Sequence, residues 1–144
     1  MMAVLKIQKN NSEQNARVKS IMPSEKEVIK NVFGNDQDIP QTIYNRIQTI
    51  INKGTKASAI LKIKMPDGSS YWTKNCFEPS IYNKSKKRFT VKTEILNKNE
   101  VTNTSKLYKS LKRIEVNLSI QQAEKFLDGY LEEKYIQFNE LVSI

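Results

Sequence analysis

Histidine is absent from the 144 residues, cysteine occurs once, and glycine and proline occur four times each. Without an imidazole the chain can build neither a Ser–His–Asp nor a Cys–His nucleophile, no His-ligated zinc site and no proximal-His haem. The single thiol, Cys76, rules out an intrachain disulfide and any cysteine cluster for zinc or iron–sulfur. No metal site is expected. No Gly-rich phosphate loop is present. Nothing approaches the ~20 consecutive apolar residues of a membrane-spanning helix, so no membrane partner is expected. The apolar run within residues 1–9 is too short for a secretory signal and lacks a small-residue cleavage site. With one thiol and no export signal, the expected compartment is the reducing cytoplasm.

What remains is ordinary for a folded domain: 38% hydrophobic and 27% charged residues, in a chain long enough for one modest core. Lysine and arginine outnumber aspartate and glutamate by 24 to 15, a net charge of +9. Such a balance admits a basic nucleic-acid-associated protein as the alternative function, because a positive surface supplies non-specific affinity for phosphates. Two features argue against it. Only Arg17, Arg46, Arg88 and Arg113 are arginines, the residue favoured for bidentate readout. The lysines are scattered apart from the run Lys84, Lys86, Lys87, Arg88, and codon bias alone produces a chain rich in Lys, Asn and Ile.

The chain has no repeat, no low-complexity tract and no Pro/Gly linker. Residues 3–8 read as a short strand and residues 10–15 as a polar turn. Ser24 with Glu27 forms a capping box before an apolar face of Val28, Ile29, Val32 and Phe33, which predicts a short helix ended by Gly34. Ile43, Ile47, Ile50 and Ile51 recur at helical spacing over residues 41–52, with Gly54 as terminator. The period then changes. Residues 57–65, 70–79 and 88–96 read as three strands, the first two joined by the turn Pro66-Asp67-Gly68-Ser69 and the last two by a basic loop. Their tight connections predict an antiparallel meander. After residues 97–103 a helical stripe of Leu107, Leu111, Ile114 and Leu118 follows. Ser119 with Gln122 suggests a second capping box, and Ala123, Phe126, Leu127, Tyr130 and Leu131 a further helix. Tyr135, Phe138, Leu141 and Val142 suggest one more short helix.

The ordered set Asp38-Ile39-Pro40, Lys53-Gly54, Ile60-Leu61-Lys62, Pro66-Asp67-Gly68, Tyr71-Trp72, Pro79 and Val91-Lys92-Thr93 resembles the second half of a PAS domain, in its bacterial aerotaxis-receptor branch. The resemblance covers about residues 24–115 and is strongest over 38–93. It implies an α+β fold: a PAS-like antiparallel β-sheet with short helices on one face and C-terminal helices. It divides the chain into a PAS-like domain over residues 1–103, with divergent first strands, and a helical extension over 104–144 that packs on the sheet or on a partner subunit. Residues 15–18 are a candidate remnant of the family's Asn-x-x-Phe-like helix. Together with strand alternation, the resemblance implies a ligand pocket lined by Ile60, Lys62, Asn75, Phe77, Phe89 and Val91, a list that one residue of register error would invert.

Flavin-holding members of that branch carry an Arg-His pair before the Asp-Met-Pro-like tripeptide and a Trp shortly after the glycine matching Gly54. Here those positions are Asn35-Asp36-Gln37 and Ala57, and only Asp38 survives. The expected cofactor is therefore none. Trp72 reads as core or interface packing more readily than as a stacking platform. Cys76 reads as a buried structural thiol. Glu132 and Glu133 diverge on a helix, and Glu25 and Glu27 sit where a helix N-terminus favours negative charge, so no acid–base pair is assembled and no enzyme is expected. The expected function is a non-catalytic sensory, signalling or protein-interaction module that binds a small apolar ligand, a second copy of itself or another signalling protein. The apolar stripes of residues 104–142 point to a homodimer.

Overall fold

The computed structural model describes residues 8–9, 16–23, 36–80 and 88–144. The fold is α+β, built on one antiparallel sheet. Its strands are β1 (Gln8–Lys9), β2 (Ala16–Pro23), β3 (Ala57–Lys64), β4 (Ser70–Ser80) and β5 (Arg88–Ile95), in spatial order β1-β2-β5-β4-β3. The helices are α1 (Gln41–Asn52), α2 (Thr102–Asn117) and α3 (Ile120–Lys134), with short 3-10 turns at Lys98–Val101 and Phe138–Ser143.

Local chemistry accounts for the boundaries. Pro40 precedes the first residue of α1, and its fixed φ suits that position. Ile43, Ile47 and Ile51 supply one buried stripe. Gly54, at φ 76°, ends the helix by donating to the Ile51 carbonyl at 2.9 Å. Between β3 and β4 the Gly68 N–H donates to the Met65 carbonyl at 2.9 Å, and Asp67 Oδ1 accepts from the Ser69 N–H. Gly68 sits at φ 90°, which a Cβ would oppose. Ser119 caps α3 by accepting from the Gln122 N–H at 3.1 Å.

Register decides which side chains meet the core. Ala57, Ala59 and Leu61 stand opposite Phe77, Asn75 and Thr73, which in turn oppose Val91, Thr93 and Ile95. All nine are buried. Most of their apolar members join Ile43, Ile47, Leu107, Leu111, Leu127 and Phe138 in one core that ties this face of the sheet to the helices. Three polar members satisfy each other: Thr93 donates to Asn75 Oδ1 at 2.7 Å, Asn75 Nδ2 to Thr73 Oγ1 at 2.9 Å, and Thr73 to the Leu61 carbonyl at 2.8 Å. The opposite face carries Lys62, Trp72, Lys74, Cys76, Lys92 and Glu94, all at least partly exposed.

The C-terminal helices close the free edge of β3, where unpaired backbone groups would otherwise invite another strand. Asn139 acts as a surrogate strand residue. Its Oδ1 accepts from the Ser58 N–H at 2.9 Å and its Nδ2 donates to the Lys56 carbonyl at 2.8 Å. The Tyr108 hydroxyl donates to the Ile60 carbonyl at 2.7 Å.

Several sequence expectations need correction. The expected three-strand meander is present, and β1 and β2 extend it to five strands. Residues 15–18 offered a helical remnant, yet Ala16–Pro23 is a strand paired with β5 from Arg17 opposite Glu94 to Pro23 opposite Arg88. That pairing joins segments about seventy positions apart, which no local pattern reveals. The first strand is Gln8–Lys9, and the rest of its predicted span lies outside the described residues. So do the predicted turn at 10–15, the capping box at Ser24 and Glu27 with its helix, and the basic loop from Tyr82 to Lys87. Cys76 is partly exposed on the face away from the core, 3.8 Å from Glu78 Oε1, and is not a buried thiol.

Candidate functional site

Lys62 on β3 and Trp72 on β4 are register partners on the outward face of the sheet. The Lys62 ammonium lies 5.6 Å from the Trp72 ring centroid, within cation–π reach. The Trp72 ring packs at 6.3 Å from that of Tyr108, tilted by 44°. The turn before α1 brings Asp38 to the same place, and its carboxylate accepts from Lys62 Nζ at 2.7 Å. That hydrogen bond holds the Lys62 ammonium protonated above its ordinary range. α2 supplies the facing wall through Ser105, Lys109, Lys112 and Arg113, which share one stripe at helical spacing. With Gln37 these groups enclose a cleft of about 510 Å³, a size suited to a small ligand.

Of the six residues expected to line a pocket, Asn75, Phe77, Phe89 and Val91 share the core face, and Phe77 meets Phe89 edge-on at 5.9 Å between centroids. Ile60 and Lys62 sit on the other face, opposite Lys74 and Trp72. The list therefore mixes the two faces of the sheet, and the core-side partners of Asn75 and Phe77 are Ala59 and Ala57. Asn75, the one polar residue of the four on the core face, spends its amide on Thr73 and Thr93. Only Lys62 of the six lines the cleft.

Sequence reasoning passed over Ser105, Lys109, Lys112 and Arg113 as site residues, and met Asp38 only as a surviving flavin-anchor position. A signal for three of them was present: Lys109, Lys112 and Arg113 fall on the turn of α2 not used by Leu107 and Leu111, and no acidic residue intervenes among them. What could not be read was that this stripe faces Trp72. A second hollow, of about 350 Å³, lies between α2 and α3 beside Leu107, Phe126 and Tyr130. Among the described residues no group of three or more His, Cys, Asp or Glu side chains is arranged to hold a metal ion. No helix among them is long and apolar enough to cross a membrane.

No family model matches the chain, and no curated protein matches it in sequence.

Proposed function

We propose that this protein is a non-catalytic, PAS-like sensory or protein-interaction module working in the cytoplasm. One observation carries the reading: a single cleft takes one wall from the sheet, through Lys62 and Trp72, and the other from α2, through Ser105, Lys109, Lys112 and Arg113. An occupant therefore bears on the sheet and the helix together. A ligand that binds one arrangement of sheet and helices better than another shifts the population between them, and α2 and α3 would carry that shift to a partner. The ordered motifs over residues 38–93 support the family reading.

The residues do not fit a flavin. Asp38, the one surviving anchor position, is engaged by Lys62, and the position of the family's Trp is Ala57, fully buried in the core. The partner we assign is a second copy of the chain. Val116, Leu118 and Ile120 stand exposed around the turn between α2 and α3, at 78%, 70% and 39%, a concentration of apolar surface that pairing would cover. Native mass spectrometry of freshly purified protein tests the reading. The expected spectrum shows a dimer without a flavin mass. A bare monomer at micromolar concentration, or measured turnover of any substrate, overturns it.

A further inference from the structure

The helical cations of this protein are treated in two ways. Arg46 on α1 is held by Glu124 and by Asp128 at 2.9 Å, both on α3. Lys109, Lys112 and Arg113 have no carboxylate partner among the described residues, although they occupy positions i, i+3 and i+4 of one helix, where like charges repel. All three border the cleft, and Lys62 adds a fourth positive group from the sheet. Asp38 is the one carboxylate among the described lining residues, with the charge of Asp36 close enough to act on Lys62. The cleft thus concentrates positive charge that the protein itself leaves unbalanced. Beside it lies Trp72, the chain's sole tryptophan, partly exposed and braced from behind by Tyr108.

A bare inorganic anion would use the cations and make no contact with the indole. An apolar ligand would use the indole and leave the cations without a partner. A ligand with a flat ring joined to phosphate uses both, since any aromatic base can stack on an indole while its phosphates take charge-assisted hydrogen bonds. The turn carrying Gln37 and Asp38 also lines the cleft, whose volume of about 510 Å³ suits a compact ligand. We propose that this cleft is a nucleoside phosphate site. The base takes the place of the Lys62 ammonium over the Trp72 ring, and Lys109, Lys112 and Arg113 hold the phosphates. Asp38 competes with the phosphates for Lys62 and so limits affinity. This inference names the occupant of the cleft on which the proposed function rests, and its test reads binding at Trp72 whereas mass spectrometry reads the assembly.

Trp72 makes the test direct, because fluorescence of the intact protein reports from one place. Titration with ADP should quench it saturably, with adenosine at least about tenfold weaker, the loss expected when charge-assisted contacts are removed. Pyrophosphate should displace ADP. The exposed-surface double variant Lys109→Ala/Arg113→Ala should weaken ADP about tenfold or more without moving the thermal midpoint, and Asp38→Asn should tighten it. Quenching that does not saturate, or that the double variant leaves unchanged, overturns the proposal. So does a single-stranded oligonucleotide that binds tightly and is not displaced by ADP, which would make the cleft part of a nucleic-acid track.

Discussion

Tyr135 closes α3 with φ 56°, a left-handed backbone that disfavours any residue with a Cβ. Its side chain is 95% exposed and contributes no packing to offset the strain. Tyr135→Gly is therefore expected to stabilise the fold by about 0.5–1 kcal/mol after the greater unfolded-state entropy of glycine is subtracted, seen as a higher urea midpoint at unchanged slope. Two other tyrosines set an alkaline limit. Burial, reinforced by the charge of Asp36, pushes the Tyr44 phenol up to about 12 from 10.0. Burial of Tyr108, with the neighbouring Tyr44, raises its phenol further in the same direction. The folded state keeps protons that an unfolded chain releases near pH 10, so stability is complete below pH 10 and falls as pH rises toward 12. Urea unfolding at stepped alkaline pH measures this. A flat profile across that window contradicts the burial of both phenols.

At the scale of elements, α1 begins without a cap of its own: Pro40 offers no side-chain acceptor, and its first turn holds no acidic residue. Glu115, on α2, fills the gap from 73 positions away. Its carboxylate accepts from the Gln41 N–H at 3.2 Å, the Thr42 N–H at 2.7 Å and the Thr42 hydroxyl at 2.6 Å. It thereby satisfies orphan donors and places negative charge at the positive end of the helix. Glu115→Ala should cost about 1–2 kcal/mol, with faster amide exchange at Thr42 than in the rest of α1; unchanged exchange there rejects the cap. Arg46 joins the same layer from α1 to α3. Burial works against its charge, but the hydrogen bonds and charges of Glu124 and Asp128 outweigh it and hold the guanidinium more firmly protonated. Neither tie was legible in the sequence. A helix with no N-cap residue reads as a weak start, and nothing local identifies the carboxylate that completes it. The turns at Gly54 and Gly68 and the Ser119 cap were legible, because each is decided by residues within one turn of itself.

For the whole molecule, residues 104–144 complete the sheet. They contribute Leu107, Tyr108, Leu111, Leu127 and Phe138 to the core, and Tyr108 and Asn139 cover the β3 edge. Truncation after Asn103 strips that edge and exposes Leu61 and Ile63 to water, so the shortened chain is expected to aggregate; a soluble, cooperatively unfolding core measured by circular dichroism would refute that role. The site illustrates the same dependence. Its sheet half, Lys62 and Trp72, lay inside the motif that the sequence displayed. Its helix half came from α2, and the pocket list combined residues from both faces of the sheet because facing is a property of register.

The amino-acid order alone determined the three strands of the meander, the apolar stripes of the three described helices, the reversal at Pro66-Asp67-Gly68, and the exclusion of imidazole and disulfide chemistry. These are short-range matters, fixed by backbone conformation and by side chains a few positions apart. Tertiary structure decided which face of β3 meets the core, that β2 lies against β5, and that three uncompensated cations on α2 stand across from Trp72. Such choices turn on pairing between distant segments, where a shift of one residue exchanges the buried face for the wet one.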